Sequence, residues 1–143
     1  MRVLDPTVTE RTVARPIRAS FELESCGAQE FRAHWTVSPD EPIFRGHYPG
    51  FLIFPGVCVI ESAHRAASAH AFAHGRPVRL AAIEHTRFKR PVFPANRIIV
   101  SGKTFDAADG IHLQCAATVH SIREDGEPEE AARIRLRYAR QAR

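Results

Sequence analysis

One stretch of this chain gathers the residue types of proton-transfer chemistry. His47 is flanked by Gly46, Pro49 and Gly50, residues that pin and expose backbone around a single imidazole. Histidine titrates near neutrality and is the commonest general base, although the chain has 8 histidines and most must be bystanders. Glu61 follows fourteen positions later, amid Val57, Val59, Ile60 and Ala63. A helix there would carry it into an apolar setting, where a carboxyl holds its proton more tightly and can serve as an acid. The plainer reading of Glu61 is a solvated glutamate on a helix surface. Between the two, Gly56 marks a helix start, whose first backbone N–H groups have no partner within the helix and can bind a developing oxyanion. Base, acid and oxyanion donor together suit removal of a proton next to a carbonyl with loss of a β-hydroxyl.

These residues need a loop and a helix to hold them. The segment FRGHYPGFLIFPG is dense in Gly and Pro and reads as an irregular loop. From Val57 to His74 there is neither Gly nor Pro, and six alanines fall within it. That predicts a helix of ~18 residues and ~27 Å, with Pro55 and Gly56 at its start and Gly75 at its end. Its small side chains let other backbone approach from several sides, which suits burial inside a curved sheet. Phe31 to Val37 alternates in period two, with Phe31, Ala33, Trp35 and Val37 on one face. Further strands are predicted near Leu80 to Arg90, Ile98 to Phe105, Ile111 to Ile122 and Ala132 to Tyr138. In the last, Ile134, Leu136 and Tyr138 alternate with Arg133, Arg135 and Arg137. Pro91, Asp109-Gly110 and Asp125-Gly126 mark turns. A long central helix with an antiparallel sheet is an α+β domain.

At 143 residues the chain is the size of one domain, and its first ~18 residues and last few read as loosely held. Hydrophobic residues at 44% and charged residues at 25% suit a globular protein. The longest apolar stretch, Phe51 to Ile60, is broken by Pro55 and Gly56, so no membrane span is expected. The N-terminus lacks the apolar core of a signal peptide, which places the protein in the cytoplasm. Cys26, Cys58 and Cys115 are odd in number and far apart, and read as free thiols rather than a metal or redox centre. The net charge of +4 can attract an acidic partner. The high pI, near 9.4, lacks the interleaved aromatic platforms of a nucleic-acid surface, and no nucleic-acid partner is expected.

The segment Glu41 to Glu61, EPIFRGHYPGFLIFPGVCVIE, resembles the active-site segment of the FabZ-type 3-hydroxyacyl-(acyl-carrier-protein) dehydratases. It has the GH-aromatic-PG run, the PGV at the helix start and the spacing from histidine to acidic residue. FKRPVFP, Phe88 to Pro94, is similar to a second segment of that family, and the likeness covers roughly residues 30 to 140. The resemblance implies a hotdog fold, a sheet wrapped around the long helix. It implies His47 as catalytic base, Glu61 as catalytic acid and Gly56 as the amide that polarises a thioester carbonyl. Phe54, Pro55, Val57, Phe88, Lys89 and Arg90 would contact the substrate or its carrier. The substrate would be a (3R)-hydroxyacyl group on the phosphopantetheine arm of acyl carrier protein, with no other cofactor and no metal. Such proteins dimerise, with histidine and carboxylate of each site from different subunits, so a homodimer, a higher oligomer or a heterodimer with a related dehydratase is implied. Glutamate at position 61 resembles the dehydratase branch more than the dehydratase/isomerase branch.

The chain departs from the family pattern in two places. The usual PHRxPFLLVD-like N-terminal segment is missing, which leaves fatty-acid and polyketide or polyene pathways open. His64 and Arg65 stand on the helix where the family tends to have apolar or amide residues. Other readings stay open beside these. His70 and His74 have a spacing that can bind a metal, but no third ligand is evident and they read as terminal-turn histidines that favour the helix dipole. Lys89 and Arg90, with Arg87 and Arg97, form either a carrier-docking patch or a solvated strand face. A hotdog thioesterase and a scaffolding subunit of a heteromeric dehydratase are the functional alternatives.

Overall fold

The computed structural model describes residues 21–41, 43–46, 53–124 and 126–141. The elements are β1 (Glu22–Cys26), β2 (Glu30–Thr36), α1 (Ile43–Gly46), α2 (Gly56–Ala73), β3 (Val78–Phe88), β4 (Arg97–Asp106), β5 (Leu113–Ile122) and β6 (Glu129–Arg140). The strands form one antiparallel sheet in the order β1-β2-β4-β5-β6-β3. Helix α2 therefore takes the chain from β2 beneath the sheet to β3 at the far edge, and on the way it contacts all six strands. This is the hotdog arrangement, with the helix packed against the sheet.

Side-chain alternation sets which face of the sheet turns inward. Phe31, Ala33 and Trp35 of β2, Leu113, Cys115, Ala117 and Val119 of β5, and Ile134, Leu136 and Tyr138 of β6 all join one buried core with α2. The intervening arginines of β6 face outward: Arg133 pairs with Glu130, Arg137 pairs with Glu84 and Asp109, and Arg135 lies over the Phe105 ring. The helix is buried on several sides because its contact residues are mostly alanine and serine, which lets the sheet close over it. It ends at Gly75, whose φ of 69° is the left-handed conformation that glycine adopts without strain. The N–H groups of Gly75 and Arg76 then reach back to the carbonyls of Phe72 and Ala71.

Several boundaries differ from the sequence expectation. The segment read as irregular loop contains the single turn α1, too short to show periodicity. β1 was not anticipated; it is a five-residue edge strand with an irregular register between Leu23 and Ser25. β5 starts at Leu113 rather than Ile111, because Asp109 Oδ1 accepts hydrogen bonds from the N–H groups of Ile111 and His112 and closes a turn there. β6 begins at Glu129, and β3 stops at Phe88, so Lys89 and Arg90 lie beyond its end. β3 is an edge strand and largely exposed, including Ile83 and Phe88. Asp125, expected in a turn, lies outside the described residues.

Candidate active site

The start of α2 is pinned from below. The Phe54 N–H donates to the Val92 carbonyl at 2.7 Å, and the Phe54 ring is buried against Trp35 and Phe44. Phe54, expected to meet substrate, is thus a core residue that anchors the loop entering the helix. Pro55 follows as N-cap in extended conformation (φ −61°, ψ 148°), with its carbonyl accepting from the N–H groups of Cys58 and Val59. The amides of Gly56 and Val57 precede those first helical bonds, where the positive end of the helix dipole lies.

The Phe88 ring covers Gly56 so closely that a Cβ at this position would lie 2.8 Å from its Cζ. Two sequence segments singled out separately, the helix start and FKRPVFP, therefore meet at this amide. Val57 (62% exposed) and Phe88 (52% exposed) leave an apolar surface on either side of it.

Glu61 stands four residues beyond Val57, on the same helical face. The expectation that it enters an apolar setting is corrected: its Oε1 accepts a hydrogen bond from Arg65 Nε at 3.2 Å. Arg65 follows Glu61 at the i,i+4 spacing, and that spacing brings the two together. The Arg65 side chain is 4% exposed and that of Glu61 is 26% exposed. Beneath them Cys58 is fully buried. Its thiol is pushed up to about 12, first by burial and then by the charges of Glu61 and Glu41, with Arg65 acting in the opposite sense. Glu41, buried as well, thus joins this electrostatic neighbourhood, a role the sequence reading missed. Its position at the head of the loop segment, just before Pro42, was the available signal. His47 lies outside the described residues.

One turn further along α2, His64 Nδ1 lies 2.9 Å from the Tyr138 hydroxyl and 3.4 Å from Ser68 Oγ, with its ring stacked on the phenol. Burial raises the Tyr138 hydroxyl well above its ordinary pKa. The alternation of β6 placed Tyr138 inward but gave no sign of this polar partner.

The basic cluster is largely matched by carboxylates. Lys89 Nζ lies 2.7 Å from Glu130, Arg90 lies 3.9 Å from Glu129, and Arg97 lies 3.1 Å from Glu24. The side-chain hydrogen bonds of Arg133 and then Lys89 bring the Glu130 carboxyl down to about 2.

At the other end of α2, His70 is fully buried, and the expectation that it complements the helix dipole as a cation is corrected. Its Nε2–H donates to the Gly27 carbonyl at 2.7 Å, while Nδ1 has no hydrogen-bond partner among the described residues. Burial lowers its pKa, outweighing the opposing pull of the Gly27 carbonyl, and His74 and Arg76 lower it further. His74 fits the dipole reading better, with its Nδ1 3.0 Å from the His70 carbonyl. Among the described residues no group of three or more His, Cys, Asp or Glu could hold a metal ion. Cys58 and Cys115 are buried thiols, and the side chain of Cys26 lies outside the described residues.

Comparison with known proteins gives a consistent picture. The ApeI-like family, described as ApeI dehydratase, matches residues 23–123. The 3-hydroxyacyl-(acyl-carrier-protein) dehydratase FabZ of Teredinibacter turnerae is 34% identical over 120 residues, which is 78% of this chain and 79% of that protein. FabZ of Sodalis glossinidius is 44% identical over 75 residues, 48% of this chain and 50% of that protein. The chain spans about half the length of several of the curated relatives it matches. In fold it is similar to a hypothetical thioesterase solved with coenzyme A from Streptococcus pneumoniae TIGR4, with a TM-score of 0.68 at 6% identity over 86% of this chain and 87% of that one.

Proposed function

Since the chain belongs to the ApeI-like family of dehydratases, we propose that it removes water from (3R)-hydroxyacyl thioesters carried on acyl carrier protein, giving trans-2-enoyl thioesters. In this reading His47 takes the proton from the α-carbon, and the Gly56 N–H stabilises the negative charge that develops on the thioester oxygen. The bond from the β-carbon to its hydroxyl then breaks, Glu61 of a neighbouring subunit gives its proton to the departing oxygen, and water leaves. The reaction needs no metal and no cofactor beyond the carrier's phosphopantetheine arm.

The observation that carries the reading is the start of α2. An amide ahead of the first helical bonds, an apolar surface around it and a carboxyl one turn on share a single rigid element. Pairing with a second copy, or with a related dehydratase, is part of the proposal. It is supported by β3, an edge strand whose exposed Ile83 and Phe88 run up to Gly56. A cytoplasmic location belongs to the same reading and rests on the sequence.

The fold is equally compatible with thioester hydrolysis, and the products separate the two. Incubation with a carrier-bound 3-hydroxyacyl substrate should give a species lighter by one water with its thioester intact. Release of free carrier thiol instead would assign the thioesterase reaction.

A further inference from the structure

We propose that Arg65 is a positioning residue that fixes the Glu61 carboxyl for proton delivery. The inference rests on the dehydratase reading and deepens it. A guanidinium is expensive to bury unless its charge and its N–H groups are met. Arg65 is nevertheless 4% exposed, on a helix whose neighbouring contact positions are Ala63, Ala66, Ala67 and Ala69.

The surroundings of Arg65 are acidic. Its Nε donates to Glu61 Oε1, and the fully buried Cys58 beneath feels Glu61, Glu41 and Arg65 together. The arginine therefore belongs to a small charged cluster built under the helix start, of which Glu61 is the outermost member.

Geometry then divides the two oxygens of Glu61. Oε1 is held by Arg65, which can only donate, so the transferable proton belongs on Oε2. Because the Arg65 side chain is itself buried, its hold on Oε1 limits how the carboxyl can turn and leaves Oε2 as the oxygen for the reactant. Arg65 acts through Glu61 and need not touch the substrate.

The test is a double-mutant cycle on the full-length protein, comparing Arg65→Met, Arg65→Gln, Glu61→Gln and both combinations, with kcat and KM for a carrier-bound substrate and thermal unfolding of each. Misorienting a reacting group by about an ångström can cost about 100-fold, so Arg65→Met should lower kcat by about 10- to 100-fold with little change in KM. Arg65→Gln, which keeps a donor, should recover most of the loss. In the Glu61→Gln background neither change at position 65 should lower kcat further. Equal losses with and without Glu61, or lowered thermal stability of both Arg65 variants with unchanged kcat, would overturn the proposal. Full activity of Glu61→Gln alone would instead remove the dehydratase role of Glu61 on which it rests.

Discussion

The two halves of α2 bury polar side chains in the same alanine-rich helix, and they satisfy them differently. Toward the N-terminus Arg65 meets the side-chain carboxyl of Glu61, which is itself one-quarter exposed. Toward the C-terminus His70 meets a backbone carbonyl, forty-three residues away in sequence, and is sealed from water. The first arrangement holds a titratable group at a surface where a reactant can reach it. The second keeps a titratable group neutral and uses it to tie the turn between β1 and β2 to the helix. A buried polar residue is thus a pointer to chemistry only when its partner is reactive and accessible.

Breaking each end should therefore give different phenotypes. The largest effect is expected at the N-terminal end: His47→Ala or Glu61→Gln should each lower dehydration by about 10²–10⁴-fold, the usual cost of losing a general acid or base, with thermal stability nearly unchanged. At the C-terminal end His70→Ala should leave kcat unchanged and cost about 3 kcal/mol in chemical denaturation. It removes a fully buried ring and strands the Gly27 carbonyl. Loss of activity without loss of stability in His70→Ala would erase the contrast between the two ends.

A smaller effect sharpens the comparison. The folded state holds His70 below the ordinary value of 6.5, so as pH falls the unfolded chain takes up this proton first. Stability contributed by neutral His70 is then fully present above pH 6.5 and declines as pH drops below it. The stability difference between the wild type and His70→Ala should accordingly narrow on acidification below that point. A difference independent of pH would mean that His70 is not the group titrating. Nδ1 gives the physical reason: protonating it would place an N–H in a buried site that offers it no acceptor among the described residues.

Much of this frame was legible in the sequence. Pro55-Gly56 and Gly75 punctuate a run free of both residue types, so the limits of α2 could be read almost to the residue. The alternation of β2 and β6 gave the inward face correctly because those strands have one wet side. β1 and the ends of β3 were harder, since edge strands pair on one side only and carry register irregularities. The family likeness singled out the helix start and the FKRPVFP segment separately, and their meeting through the Phe88 ring at Gly56 was not legible in either. The environment of Glu61 was misread because hydropathy averages its neighbours, whereas the i,i+4 spacing to Arg65 was the informative signal. The fate of His70 could not be read locally, because its partner Gly27 is brought to it only by the closed sheet.

The central claim is that His47 and Glu61 from different subunits complete one dehydration site. The most direct measurement pairs a His47→Ala protomer with a Glu61→Gln protomer in a purified, differently tagged heterodimer and follows water loss from a carrier-bound 3-hydroxyacyl thioester. One of its two sites then keeps both wild-type residues, so the account predicts recovery of a large share of wild-type activity from two nearly inactive parents. A heterodimer as inactive as either parent would contradict it.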